Sequence, residues 1–302
     1  MLAERITKYA LAVTAVSSSL LPHTYLLEKY RQLRARYSYD NVEIPVREHI
    51  RQRFQEVLDD VNLSEEYTQK IKLFNVHDLD VFHAGVVFTK HGAVIGVPAN
   101  FEYKDLDHIT DKTISFENNM VDWDTSAARK FRESLILSEN AQKFALALKT
   151  KAVTKAGLLY HTGSLILDIL VAEVIHTAIC SALHLTEKQR SARFFCMGVC
   201  IIGAYILWSV TSIAINRVIE SDINEQLVTL GPEYVQGGIE YYEKLSSRNQ
   251  ALRIILGEKG TYLFTPTGNE TNWSKRRGIP ISEQIDYFKS RMQGAQLPMS
   301  IN

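Results

Sequence analysis

The sequence predicts an α+β fold, in which a mostly helical soluble unit with a small β-sheet is interrupted by a transmembrane helical hairpin. A candidate membrane helix precedes this unit. Two observations carry the prediction. The run Phe194–Ile215 contains no Asp, Glu, Lys, Arg or His, and the segments on either side of the hairpin are polar, with β-rich stretches only in the earlier one. With 46% hydrophobic residues, the chain is too apolar to be disordered.

These features divide the chain into four consecutive parts. We expect a targeting segment or membrane anchor at 1–27, a soluble α+β part at 28–155, a transmembrane helical hairpin at 156–216 with spans at about 158–183 and 194–215, and a C-terminal helical part at 217–302 that packs on 28–155.

The first of the four parts leaves three alternatives open. The stretch Tyr9–Leu27 is apolar and follows Arg5 and Lys8, while Pro22 interrupts it. Such a pattern is shared by retained anchor or targeting helices, by removed signal peptides and by soluble helices.

In the soluble part, one helix and a small sheet are predicted. Apolar residues recur at helical spacing in Val46–Val61. Three β-rich stretches follow, and His91-Gly92 between the last two is a hairpin signal; the strands are expected at Lys70–His77, Ala84–Lys90 and Ala93–Val97.

The later elements of the soluble unit are predominantly helical. We predict a helix over Ser126–Ala152 that breaks near Leu137-Ser138, and a second helix over Gly238–Leu256. The last 40 or so residues hold Pro266, Gly268 and Pro280, which predicts loop and short strands.

The hairpin rests on two apolar stretches. Phe194–Ile215 would span about 33 Å as a helix, which is enough for a hydrocarbon core of about 30 Å. Leu158–Leu183 is also apolar but contains Asp168, Glu173 and His176. A charge at the centre of a span costs about 3 kcal/mol, so this stretch is expected to insert beside its partner rather than alone.

Polar and small residues of the hairpin are the candidate partner contacts. Polar groups within a membrane commonly face another helix, and small residues allow helices to approach closely. The candidates are Asp168, Glu173, His176, Gly203, Ala204 and Ser209.

Metal chemistry has only weak support in the same region. Glu173 and His176 have the E-x-x-H spacing of di-iron bundles, but facing carboxylates are missing. Cys196 and Cys200 lie one turn apart and could hold Cu(I), although a thiol pair in an apolar helix more often consists of small packing residues. We therefore predict no metal and no other cofactor.

Composition and motifs exclude several functional classes. Lys+Arg and Asp+Glu both number 34, so a phosphate-binding, nucleic-acid partner is not expected. The three cysteines all lie in the apolar region, which does not suit a secreted disulfide scaffold. Zincin, zinc-ribbon, Walker, Rossmann and serine-hydrolase motifs are absent from the sequence, so the protein is not expected to be an enzyme.

Five stretches carry a resemblance to a known family. They are Gly96–Phe101, Val121–Trp123, Ala141–Ala147, Gly237–Leu256 and Thr265–Asn269. In sequence, order and position relative to the hairpin they resemble the transmembrane protein 177 family, over roughly residues 46–269. The resemblance implies a multi-pass protein of the mitochondrial inner membrane. It further implies a chaperone-like role in cytochrome c oxidase assembly, that is complex IV biogenesis, through subunit II and that subunit's membrane chaperone.

A fainter resemblance concerns the fold. The order of elements is similar to membrane zinc metallopeptidases of the HtpX and CAAX-protease type. In those, an H-E-x-x-H helix precedes the membrane hairpin and an E-x-x-x-D helix follows it. Here the first helix has no His, and Val218 stands where the Glu should be, although Asp222 fits the Asp. A shared fold would therefore be pseudoprotease-like.

Taken together, the sequence predicts a non-enzymatic assembly factor that binds and stabilises newly made oxidase subunit II with its chaperone. Two alternatives are a degenerate metallopeptidase-like protein with residual metal-dependent activity and a purely structural membrane scaffold. The side of the membrane that the soluble unit faces and the oligomeric state stay open.

Overall fold

The computed structural model describes residues 2–106, 109, 123–186, 188–271 and 278–296. Val121-Asp122, part of one resembling stretch, lies outside them. The described helices are α1 Leu2–Leu20, α2 Leu27–Arg34, α3 Glu48–Asp60, α4 Glu65–Thr68, α5 Ser126–Leu135, α6 Glu139–Thr154, α7 Gly157–Ala182, α8 Arg190–Thr229, α9 Pro232–Ile255, α10 Gly257–Leu263 and α11 Ile281–Gln296, with short 3₁₀ turns at Leu21–His23 and Ala99–Glu102. This is the predicted helical α+β class.

A three-stranded sheet has the order β1-β3-β2, with β1 Ile71–Val76, β2 Phe82–Gly85 and β3 Ala93–Pro98. β3 is central; β1 runs parallel to it, pairing Ile71 with Ala93, and β2 runs antiparallel, pairing Gly85 with Ala93. The first and third strands lie where the sequence predicted them.

The predicted position of the second strand is wrong. Ala84–Lys90 was expected, but β2 ends at Gly85, whose φ of +77° takes the chain out of extended geometry. Val86 and Val87 then turn inward and are buried, and Val87 N–H donates to Val153 O at 3.1 Å. The hairpin connection is therefore longer than the His91-Gly92 signal indicated.

Both faces of the sheet are covered. On one face, Leu27 of α2 packs with Phe74, Val76 and Val94. On the other face, α3 and α6 contribute to the main core, where Ile95 and Val97 are fully buried. Side chains alternate between faces along a strand, so a single strand such as β1 serves both clusters.

The helical break predicted near Leu137-Ser138 is confirmed, and each helix has its own N-cap. Thr125 Oγ1 accepts from Ala128 N–H at 3.2 Å at the start of α5. Ser138 Oγ accepts from Ala141 N–H at 3.2 Å at the start of α6. Both contacts satisfy backbone donors that a helix leaves free at its beginning.

Helices α6, α9 and α11 form the aromatic centre of the core. The ring of Phe144 lies 5.6 Å from Tyr242 and 5.1 Å from Phe288, centroid to centroid, in edge-on geometry. A Cβ on Gly237 would come within 2.3 Å of Asn140 O. The lack of a side chain there lets α9 approach α6 closely.

The loop and short strands expected for the C-terminal residues are wrong over Ile281–Gln296, which form α11. Ile281, Ile285, Phe288 and Met292 recur at helical spacing and pack on the main core. Pro266, Gly268 and Pro280 lie before the helix, where Pro280 is compatible with a helix start.

The membrane hairpin is confirmed as two helices that are long and apolar enough to span a bilayer, α7 with 26 residues and α8 with 40. α8 is longer than the predicted span. Its second half leaves the apolar stretch and enters the soluble core, where Ile223 is 2% exposed and Leu227 is fully buried. α8 therefore joins the membrane part rigidly to the soluble unit.

The N-terminal helix belongs to a bent helix pair that could form a third span. Glu4–His23 and Leu27–Arg34 are together long and apolar enough to cross a membrane but are bent by 71°. Because the Leu27 arm packs on the sheet, the α1 arm is the one that can enter a membrane.

Candidate functional site

Helix α1 lies antiparallel to α7. Its N-terminal half reaches the far end of α7, where Lys8 Nζ is 2.9 Å from Glu173 Oε2. Its C-terminal end returns to the soluble unit, where His23 Nδ1 accepts from Gly85 N–H at 3.2 Å. α1 thus packs along α7 of the membrane hairpin.

Five ionisable side chains meet near the tip of the hairpin, and we call them the ion cluster: Glu4, Lys8, Glu173, His176 and Arg193. Arg193 donates from Nε to Glu4 Oε2 at 2.9 Å and from Nη2 to Glu4 Oε1 at 3.1 Å. Lys8 Nζ also lies 3.3 Å from Glu4. The Glu4 side chain is only 8% exposed, so these pairs are shielded from water.

His176 sits at the centre of the ion cluster and is 2% exposed. Lys8 Nζ lies 2.9 Å from His176 Nδ1. Because an ammonium group can only donate, Nδ1 is the acceptor. The proton then resides on Nε2, which lies 3.2 Å from the carbonyl oxygen of Arg193. This arrangement connects α1, α7 and α8.

The other predicted contact residues are not part of the ion cluster. Asp168 is 6% exposed, and its Oδ2 has no hydrogen-bond partner among the described residues. Ser209 is also buried and donates to Tyr205 O of its own helix at 2.7 Å. A buried carboxylate without a partner is costly in an apolar medium. Asp168 therefore differs from Glu4 and Glu173, whose carboxylates are paired with cations.

Gly203 and Ala204 lie on the outer surface of α8. Gly203 is exposed, and a Cβ built there would meet nothing within 4 Å, while Ala204 is partly exposed. Glu173 also keeps half of its side chain exposed, at 51%. Of the six predicted contact residues, Glu173, Gly203 and Ala204 are therefore the accessible ones.

Sequence reasoning missed three members of the ion cluster, Glu4, Lys8 and Arg193. A signal for them does exist. Glu4 and Lys8 are spaced i, i+4 in the first turns of a largely apolar helix, and Arg193 directly precedes the apolar run Phe194–Ile215. Charges at the ends of membrane helices commonly find one another. The sequence does not tell which end of α1 meets the hairpin tip.

In the part of the chain that the structure describes, no three His, Cys, Asp or Glu side chains are placed to hold a metal ion. Cys180, Cys196 and Cys200 are free thiols. Cys180 Sγ lies 3.4 Å from His176 Nε2, and Lys8 occupies the other ring nitrogen. The E-x-x-H pair is thus engaged in polar contacts within the chain.

A second group of polar side chains lies where the membrane part meets the sheet. His161 Nε2 of α7 is 2.8 Å from Asn216 Oδ1 of α8. On β2, burial lowers the pKa of His83 to about 3, and the nearby charges of Lys149 and His23 act in the same direction. His83 is therefore neutral at pH 7.

Comparison with known proteins identifies a family and several relatives that the sequence resembles. The family model for transmembrane protein 177 matches residues 13–276. The chain is 28% identical to transmembrane protein 177 of Mus musculus over 84% of the chain and 81% of the mouse protein. It is 31% identical to the Rattus norvegicus protein over 80% and 78%, and 30% identical to the Homo sapiens protein over 74% and 71%.

No solved structure matches the chain significantly. The family match includes α1 from residue 13, the sheet, the hairpin and α9, which together make up most of the described fold. The chain therefore belongs to the transmembrane protein 177 family.

Proposed function

We propose that the protein is a non-enzymatic assembly factor of the mitochondrial inner membrane that binds and stabilises newly made cytochrome c oxidase subunit II together with its membrane chaperone. Family membership over residues 13–276 is the observation that carries the proposal, because this role is what the family resemblance implies. The proposed action is binding alone, without a cofactor.

The membrane part offers a suitable surface for such binding. The apolar stretches of α7 and α8 face mostly outward. Only 17% of the most apolar 18 residues of α7, and 11% of those of α8, are buried within the chain. Gly203 leaves room for a neighbouring helix, and Glu173 presents a half-exposed carboxylate. Small residues and shared polar contacts are what stabilise helix association in lipid. A membrane-inserted client could pack against this outer face.

The test is affinity purification of the tagged full chain from detergent-solubilised mitochondria, with proteins and metals measured in the same eluate. We expect oxidase subunit II and its chaperone in a metal-free eluate. Absence of both proteins would overturn the proposed function. A stoichiometric metal without them would favour the metallopeptidase-like alternative, and self-association alone would favour a scaffold.

Variants in the hairpin locate the contact. Glu173→Leu is expected to reduce co-purification while leaving membrane insertion intact, whereas Asp168→Leu, at a buried position, is expected to leave co-purification unchanged. Because Glu173 also binds Lys8, the matched control is Lys8→Leu, which breaks the same internal pair but leaves both carboxylates in place. Unchanged co-purification in Glu173→Leu, or an equal loss in Lys8→Leu, would contradict direct contact of Glu173 with the client.

A further inference from the structure

One edge of the sheet is half open. β1 is an edge strand, and its second half is covered by the segment after α2. Arg36 N–H donates to Asn75 O at 2.9 Å, and His77 N–H donates to Arg34 O at 3.3 Å. Ala35 and Val76 form the antiparallel bridge between these two bonds. The covering ends there and does not extend to the first half of β1.

In the first half of β1, every second residue directs its backbone N–H and C=O groups away from the sheet. Ala93 N–H donates to Lys70 O at 2.9 Å, so in this parallel ladder Lys70 and Lys72 face β3. Ile71 and Leu73 must then direct their N–H and C=O groups away from the sheet. Among the described residues, none makes a hydrogen bond to these groups.

A groove of about 540 Å³ runs along this open edge. α2 forms one wall, with Glu28 and Arg31, and α3 forms the other, with Arg51 and apolar side chains. The two helices cover opposite faces of the sheet, so the groove exposes the edge alone. Its remaining lining residues are Phe54, Gln55, Leu58, Thr68, Ile71, Lys72 and Leu73.

The charges in the groove favour an acidic occupant. Arg31 is bound to Glu28 at 2.8 Å and to Glu43 at 2.5 Å, so its charge is balanced. Lys72 is 71% exposed and shares Glu28 with Arg31, at 3.7 Å, so Arg31 and Lys72 together face Glu28 and Glu43. Arg51 donates from Nε to Val46 O, and no described acid pairs with it.

We propose that this edge binds an extended, acidic segment of a partner protein by β-strand addition. The segment's backbone pairs with the outward groups of Ile71 and Leu73. Side chains on an added strand alternate, so one set lies beside Lys72 on the α2 side and the other beside Arg51, Phe54 and Leu58 on the α3 side. The proposal goes beyond the proposed function, because it concerns a surface of the soluble unit and does not depend on the client's identity.

Lysine on an edge strand is also a common device against unwanted strand pairing, and this alternative makes the opposite prediction. The probe is a fluorescein-labelled peptide of about seven residues that alternates valine with glutamate. It is titrated against the full-length protein in detergent, with fluorescence polarisation as readout. We expect saturable binding in the micromolar range, together with slower hydrogen exchange of the Ile71 and Leu73 amides.

Two control peptides define the mode of binding. The same peptide with alternate backbone amides N-methylated, and one with lysine in place of glutamate, should each bind about tenfold more weakly or worse. No binding of the glutamate peptide at millimolar concentration, or equal binding of all three peptides, would overturn the proposal.

Two protein variants complete the test. Leu73→Pro removes an outward N–H without removing a bond to β3, and edge strands tolerate proline at such positions. Leu73→Ala is the matched control that keeps the donor. We expect weaker peptide binding only for Leu73→Pro, and equal binding by both would contradict strand addition. If the proline variant does not fold, the N-methylated peptide and the amide exchange decide.

Discussion

Arg193 and Glu4 form a two-pronged ion pair across 189 positions of sequence, with N–O distances of 2.9 and 3.1 Å. The pair connects the N-terminal helix to the beginning of α8 at the tip of the hairpin. Planar guanidinium groups bind carboxylates in this geometry more strongly than lysine does. The pair therefore determines where α1 lies on the hairpin.

Reversing one charge of this pair should loosen α1. In Glu4→Arg two cations would face each other at a site where the carboxylate is 8% exposed. We expect a loss of about 2 kcal/mol in the free energy of unfolding, measured in detergent. The double variant Glu4→Arg/Arg193→Glu should recover part of this loss. Lys188→Glu, at an exposed position in the loop between α7 and α8, is the control expected to have no effect.

The membrane hairpin could be predicted because a bilayer requires a long apolar run, and Phe194–Ile215 has one. The continuation of α8 to Thr229 could not, since it depends on packing of Ile223 and Leu227 in a core assembled from distant elements. β2 was misplaced for a similar reason. Val86 and Val87 suit a strand by composition, but tertiary burial places them in a turn.

Only two of the five residues of the ion cluster could be predicted. Glu173 and His176 are conspicuous because charges are rare in an apolar stretch. Their neighbour Lys8 lies 165 residues away from Glu173, and nothing local indicates which charge will meet them. Periodicity gives the face of a helix on which a residue lies, but it does not give the neighbour of that face.

The cap of α6 has an unusual acidic neighbour, which makes its substitutions informative. Ser138 Oγ accepts from Ala141 N–H and donates to Glu240 Oε2 at 2.5 Å. Ser138→Ala should cost about 1 kcal/mol of unfolding free energy. Ser138→Asn should lie near the wild type, whereas Ser138→Asp should be less stable because its carboxylate faces Glu240. Equal stability of these last two variants in chemical denaturation would contradict the role of Glu240.

Gly96 lies in the central strand where a side chain does not fit. A Cβ there would come within 2.1 Å of Val76 Cγ1. Gly96→Ala should therefore lower the unfolding free energy by about 1–3 kcal/mol. Adding Val76→Ala removes the clashing methyl and should return part of the stability. Gly203→Ala is the control, since its Cβ meets nothing within 4 Å and alanine favours a helix.

If the Gly96 variant were as stable as the wild type in thermal unfolding, the close contact between β1 and β3 at this level would be incorrect. The contact would also be incorrect if adding Val76→Ala to Gly96→Ala lowered the stability by as much as Val76→Ala does in the wild-type chain. Two residues that clash must show coupling in such a double-mutant cycle.

The His83 side chain makes stability depend on pH. Its pKa is lowered from 6.5 to about 3 in the folded chain, chiefly by burial. Below pH 6.5 the unfolded chain binds a proton that the folded chain does not, so stability falls as the pH falls from 6.5 toward 3. Between pH 6.5 and 5 this group accounts for about 2 kcal/mol at most. His83→Gln should flatten the pH dependence of the unfolding temperature over that range. An unchanged slope would show that His83 is not the titrating group.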